Sequence, residues 1–353
     1  TDGSMDKTGV LVNRETAGKA PRRTRQTGLS GPLGVALVGA GSFARTVLVP
    51  YLTVLKKLYK VAAVCDTDGL RAEKAAAVFP GAYATSDYAR VLVDSGIEAV
   101  IIATRHDLHA PQTIAALEAG KAVFVEKPVA LSREKLKTVL DTAVSTGLPF
   151  MAGFNRRYAP FSLRARQLLN KVSGPVMITY RVAAGRLPTD HWVKTPQGGG
   201  RIIGEACHMV DLIMYLAGSR ISDVSCVGVP AADGALDDNL QVLFTMENSS
   251  TATLTYTSMG AEKTEKELIE ILAGSLTITI KDFSELFVLE GRIKKARKRI
   301  RQDKGHLMEL KVFRDCVTGD RESRCIPMTL PEIEHVSEIT FRIADGVKKH
   351  GVS

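Results

Sequence analysis

The chain has 353 residues, 45% hydrophobic and 24% charged, a composition that suits two folded domains and excludes a disordered or fibrous chain. No apolar run approaches the roughly 20 residues that cross a bilayer, and no continuous apolar core marks a signal peptide, so a membrane partner is not expected. The net charge of +9 is local: residues 292–304, RIKKARKRIRQDK, carry +7 and residues 1–32 carry +3, leaving a body of −1 without the spread basic face of a nucleic-acid binder.

Residues 1–32 are polar and basic, and read as a disordered tail whose natural start is Met5. From Gly34 the pattern changes. GVALVG reads as a strand, Phe43 to Leu58 as a helix, YKVAAVCD as a strand and GLRAEKAAAVF as a helix. GAYAT, EAVIIAT, AVFVEK and PFMAGF continue the strands, with helices DYARVLVDS, LHAPQTIAALEAG and SREKLKTVLDTAVSTG between them. The central strands are unbroken apolar runs, as expected where helices cover both faces. Residues 33–154 are therefore expected to form an α/β, doubly wound parallel sheet of Rossmann type. Beyond Asn155, a helix, PFSLRARQLLNKV, a strand, VMITYRVAA, a Gly-rich loop and a second helix, GEACHMVDLIMYLAG, lead into long alternating strands, QVLFTME to SELFVLEG, and a last helix near 331–349. Residues 155–353 are expected to form an α+β domain on a mostly antiparallel, open sheet. The basic segment 292–304 reads as a solvated hairpin or edge strand, with an anion-binding rim as the alternative.

LVGAGSFA carries a G-x-G-x-x-A pattern at Gly39, Gly41 and Ala44. It sits between the first strand and first helix of the βα array, the context that gives the pattern meaning. Gly39 permits the tight turn, and Gly41 lets backbone approach a pyrophosphate at the helix N-terminus. Asp66 ends the second strand, where a carboxylate accepts from an adenosine ribose and repels a 2′-phosphate. NAD is the expected cofactor, with NADP the alternative.

Lys127 ends the fifth strand, on the crevice side of such a sheet. Pro128 stops the ladder behind it. The facing group is expected from GGGRIIGEACHMVD, where His208 and Asp211 stand three apart on one helical face. A metal site on His208, Glu205 and Asp211 is not expected, because a third spaced histidine or a cysteine cluster is missing. The five cysteines are odd in number and form no C-x-x-C pair, which points to reduced thiols and a cytoplasmic location.

The motifs GAGSFA, ATRHDLH, VEKP, GFNRRYAP and GGGRIIGEACHMVD together resemble the Gfo/Idh/MocA family of glucose–fructose oxidoreductases and inositol dehydrogenases, over about residues 34–350. The resemblance implies hydride transfer between a sugar or sugar-nucleotide hydroxyl carbon and nicotinamide. It gives Lys127 the reacting oxygen and His208 the proton. It implies cofactor contacts at Gly39, Gly41, Ser42, Phe43, Asp66, Thr104, Arg105, His109, Glu126 and Lys127, with His106 on the nicotinamide side. Substrate contacts are implied at Asn155, Arg157, Glu205 and Asp211, and a homo-oligomer is expected. Two departures stand out. Many members carry an aspartate four residues before the histidine, where this chain has Gly204, and the usual T-P-N after the fourth strand is T-R-H here. The alternative reading is a cofactor-binding sensor or scaffold without turnover.

Overall fold

The computed structural model describes residues 31–231 and 237–350, so the expected tail lies almost wholly outside the described residues. Strands β1 (Leu33–Val38), β2 (Tyr59–Cys65), β3 (Tyr83–Thr85), β4 (Ala99–Ile102), β5 (Ala122–Val125) and β6 (Phe150–Ala152) form one parallel sheet in the order β3-β2-β1-β4-β5-β6. This is the doubly wound arrangement. The order reverses between β1 and β4, which opens a crevice at the strands' carboxyl ends. Every residue of β1, β4 and β5 is buried, matching their unbroken apolar sequences.

The crossover helices are α1 (Val49–Val54), α2 (Gly69–Ala76), α3 (Tyr88–Val93), α4 (His106–Glu118) and α5 (Arg133–Thr146). Local chemistry sets several of their ends. The Asp68, Asp87 and Ser132 side chains accept from backbone N–H groups at the starts of α2, α3 and α5, and Gly147 ends α5 in the left-handed region.

The later chain adds α6 (Pro160–Leu169), β7 (Met177–Ala183), α7 (Cys207–Ala217), β8 (Ile221–Gly228), β9 (Asn239–Met246), β10 (Thr251–Thr257), β11 (Glu267–Ala273), β12 (Leu276–Lys281), β13 (Glu285–Glu290), β14 (Ile293–Lys298), α8 (His306–Thr318) and α9 (Leu330–His350). Its eight strands form a second sheet, β14-β13-β12-β11-β7-β10-β9-β8, antiparallel except for the β7–β10 pair. Alternation puts Ile178, Tyr180 and Val182 of β7 on a buried face, beneath α7, while α9 covers β8. The opposite face shows Met177, Val227, Leu243, Leu272 and Leu289 to solvent.

The basic segment is the edge strand β14, all six residues exposed, with Lys298 paired to Glu285 at 2.6 Å. Lys304, beyond the strand, turns inward instead. Helix α8 also departs from its sequence neighbours. It packs on the first sheet, with the Phe313 ring 5.7 Å from Phe124 and the Tyr59 hydroxyl donating to the Leu310 carbonyl. Part of the first sheet's cover therefore comes from far along the chain.

Candidate active site

The glycine loop has the tight turn that its pattern predicts. Gly39 has φ +95°, and a Cβ there would stand 2.6 Å from the Ala103 backbone, so only glycine lets β1 and β4 splay at this turn. A Cβ on Gly41 would meet nothing, because Gly41 faces a cavity of about 650 Å³ at the carboxyl ends of the strands. Ser42, Phe43, Thr104 and Arg105 also line that cavity. Asp66 lies at its edge and holds the loop: its carboxylate accepts from the Ala40 N–H at 2.7 Å and the Asp68 N–H at 2.9 Å. Arg71 stands 3.3 Å from the same carboxylate, a cation that sequence reasoning did not single out.

A second cavity, about 440 Å³, adjoins the first through Phe43, Ala103, Thr104 and Trp192. Lys127 projects into it from the end of β5. Its ammonium donates to the Gly204 carbonyl at 2.6 Å, linking the first sheet to the segment that enters α7. The Lys127–Pro128 peptide is cis. An ammonium has three donors, so two remain for a bound oxygen.

Glu126, Asn155, Glu205 and His208 line this cavity with Lys127. Burial raises the Glu126 carboxyl to about 7 against the pull of Lys127, and its Oε1 is buried with no hydrogen-bond partner among the described residues. His208 is buried, and burial followed by the Lys127 and Arg156 charges holds it well below the usual histidine range. Its Nδ1 has no partner among the described residues. Glu205 takes a 2.5 Å hydrogen bond from the Tyr256 hydroxyl and one of 3.3 Å from Arg201. Burial opposes its charge, but Arg201, Tyr256 and Lys127 keep it below its ordinary value.

Three of the expected contact residues lie in packed, internally bonded settings. Asp211 shares a helix with His208 but does not partner it. It is fully buried and bonded to Arg157, whose Nη1 also reaches Glu332 at 3.2 Å. Two charges this deep satisfy each other, so neither Arg157 nor Asp211 lines the cavity. The neighbouring guanidinium does: Arg156 lines the cavity and is paired at 2.8 Å with Glu267, which also accepts from Lys304 at 2.7 Å. The third is His109. It reaches the cavity wall, but its Nδ1 lies 2.7 Å from the Pro128 carbonyl and its Nε2 3.2 Å from that of Thr104. A neutral imidazole has one N–H, so His109 donates to one of these two carbonyls and packs its other nitrogen against the second, between the end of β4 and the turn after Lys127.

Sequence reasoning also missed Trp192, His306 and Lys304, all on the cavity wall. Trp192 is the one tryptophan in the chain, which was a signal, but His306 and Lys304 arrive by the return of α8 to the first sheet.

Residues 33–154 match the family model described as "Oxidoreductase family, NAD-binding Rossmann fold", and residues 163–276 match "GFO/IDH/MocA C-terminal domain". The chain belongs to the Gfo/Idh/MocA family. Among similar proteins, D-glucoside 3-dehydrogenase of Escherichia coli (strain K12) is 32% identical over 194 residues, 54% of this chain and 55% of its own. The scyllo-inositol 2-dehydrogenase (NAD(+)) of Bacillus subtilis (strain 168) is 34% identical over 166 residues, 46% of this chain and 48% of its own. The chain spans about half the length of these curated relatives. In fold it is similar to UDP-N-acetylglucosamine 3-dehydrogenase GnnA from Acidithiobacillus ferrooxidans, with TM-score 0.76 and 20% identity, covering 90% of this chain and 99% of that one. A levoglucosan dehydrogenase solved with NADH gives TM-score 0.77 at 20% identity, covering 90% and 98%. The cofactor that the family implies fits the residues present: Gly41 leaves its side of the first cavity open, and Glu126 Oε1 is a buried acceptor without a partner among the described residues.

Proposed function

We propose that this protein oxidises a secondary hydroxyl of a sugar or sugar nucleotide with NAD as hydride acceptor. One observation carries the reading: a lysine ammonium, held by a carbonyl of the second unit, projects into a cavity that adjoins a dinucleotide-sized crevice. The relatives named as glucoside and inositol dehydrogenases support a carbohydrate substrate.

In this reading the pyrophosphate rests against Gly39, Gly41, Ser42 and Phe43, Asp66 receives the adenosine ribose, and Thr104, Arg105 and Glu126 lie toward the nicotinamide. Lys127 donates to the reacting oxygen and stabilises the negative charge that develops on it, while His208, neutral in its buried setting, accepts the proton. Asn155 and Glu205 contact the sugar. When bound, NAD supplies the hydride acceptor. A sensor or scaffold without turnover has less support, since both the lysine and the histidine reach the cavity.

The exposed apolar face of the second sheet supports self-association, measurable by light scattering. Five free cysteines suit a reducing, cytoplasmic setting. Among the described residues no helix is long and apolar enough to cross a membrane. The functional test is a panel of glucosides, cyclitols and UDP-sugars with NAD or NADP, read by reduced-cofactor fluorescence. The reading fails if NAD binds but none of the panel yields reduced cofactor.

A further inference from the structure

The two departures from the family pattern, Gly204 and the T-R-H after β4, meet at one point. A Cβ built on Gly204 would stand 2.8 Å from His106 Cε1 and 3.2 Å from its Nδ1. The His106 ring therefore fills the space that any side chain at 204 would need. Lys127 leans on the same residue, through the Gly204 carbonyl. The two groups thus flank Gly204 on the wall of one cavity.

His106 is held firmly. Its Nδ1 lies 2.8 Å from the Gly198 carbonyl, and since a carbonyl only accepts, Nδ1 carries the proton and donates. The Trp192 ring packs edge-on at 4.7 Å, and His109 lies behind at 5.6 Å. Burial, then the Lys127 charge, push the imidazole down to about 3, against the Gly198 bond and with His109 and Glu205 as the other titratable neighbours. It is neutral at working pH, so Nε2 is a bare acceptor. Among the described residues no donor reaches it.

We propose that His106 is a specificity-determining substrate contact: its Nε2 accepts a hydrogen bond from the hydroxyl next to the one that Lys127 holds, so the substrate must be a vicinal diol. The proposal rests on the function given above. An acid at 204 would offer the same acceptor but add a negative charge beside Lys127. A neutral imidazole supplies the acceptor and leaves the lysine's charge undiminished.

The test uses methyl α-D-glucoside and its 2-deoxy and 4-deoxy forms, with the oxidised carbon located by product NMR. Wild-type enzyme is expected to lose at least tenfold in kcat/KM on the analogue that lacks the neighbouring hydroxyl, because an unpaired buried acceptor penalises the analogue. His106→Ala is expected to lose a similar factor on the parent glucoside, with little change on that analogue, so that discrimination falls toward unity. NAD affinity and melting temperature serve as folding controls. His106→Ala combined with Gly204→Asp is expected to restore discrimination, since the new side chain enters the vacated space. An equal loss on all three sugars in His106→Ala would make the histidine a spacer and overturn the proposal, as would unchanged discrimination. If wild-type enzyme oxidises no sugar or cyclitol at all, the functional reading fails and this inference goes with it. If it oxidises the glucoside without discriminating, only this inference fails.

Discussion

Replacing Lys127 by Met removes one charge at similar volume. The structure says what is lost. The hydrogen bond to the Gly204 carbonyl, 2.6 Å, is charge-assisted and joins the two sheets' units. Bonds of that kind contribute about 1.5–3 kcal/mol, so a modest drop in melting temperature is expected. The larger effect falls on the reaction. The ammonium acts most strongly when the substrate oxygen carries developing charge, so kcat should drop more than affinity. A single positioned electrostatic or proton-transfer group contributes roughly 10²–10⁴ in rate, or ~3–5 kcal/mol. The glycine loop and Asp66 lie on the adjoining cavity, which Lys127 does not line, so NAD binding should stay within about threefold. Steady-state turnover, paired with binding measured by NADH fluorescence, separates the two quantities. Near-normal turnover in Lys127→Met with cofactor bound would show that the lysine only bridges the sheets.

Four further outcomes follow from other parts of the structure. Asp66→Ser should raise NADP use relative to NAD, because it removes the carboxylate that repels a 2′-phosphate and leaves Arg71, still paired with Asp68 at 3.1 Å, beside that position; a wild type that already prefers NADP would contradict the assignment. Asp211→Asn should cost about 3–5 kcal/mol of stability in urea unfolding, since it leaves the buried Arg157 undercompensated. Burial holds His106 and His306 at about 3 and His109 at about 4, so these three sites take up protons below about 6.5 only in the unfolded chain, an effect that the raised carboxyls of Glu126 and Glu309 offset in part but do not outnumber. Stability should therefore fall as pH drops from about 6.5 toward 4, and a flat profile in denaturant titrations over that range would refute it. Neutralising Lys294, Lys295, Arg297 and Lys298 on exposed β14 should leave kcat on a neutral sugar intact, whereas Lys304→Met, on the cavity wall, should lower kcat/KM.

The fold was legible because each signal was local. Unbroken apolar runs between amphipathic helices mark a covered parallel sheet, and the later alternation marks a half-exposed antiparallel one. The glycine loop, Asp66 and Lys127 were legible for the same reason, since strand ends fix their positions. The sequence was silent where a side chain's setting depends on partners distant in sequence. Helical spacing puts His208 and Asp211 on one side of α7, but it cannot show that Arg157 arrives from 54 residues away to take the carboxylate. Adjacent arginines in GFNRRY look alike in sequence, yet the backbone turn at Asn155–Tyr158 sends Arg156 to the cavity and Arg157 into the core. The return of α8 to the first sheet, which brings His306 and Lys304 to the site, left no local trace. Gly204 read as a lost acid, and only its contact with His106 gives the substitution a physical meaning.

The central claim is direct hydride transfer from a sugar carbon at the Lys127 cavity. The most direct measurement is a single turnover with a sugar deuterated at the carbon that is oxidised, with the recovered cofactor examined by NMR. Direct transfer predicts one deuterium at C4 of the reduced nicotinamide, on a single face. Reduced cofactor without the label, or label found only in water, would contradict the account.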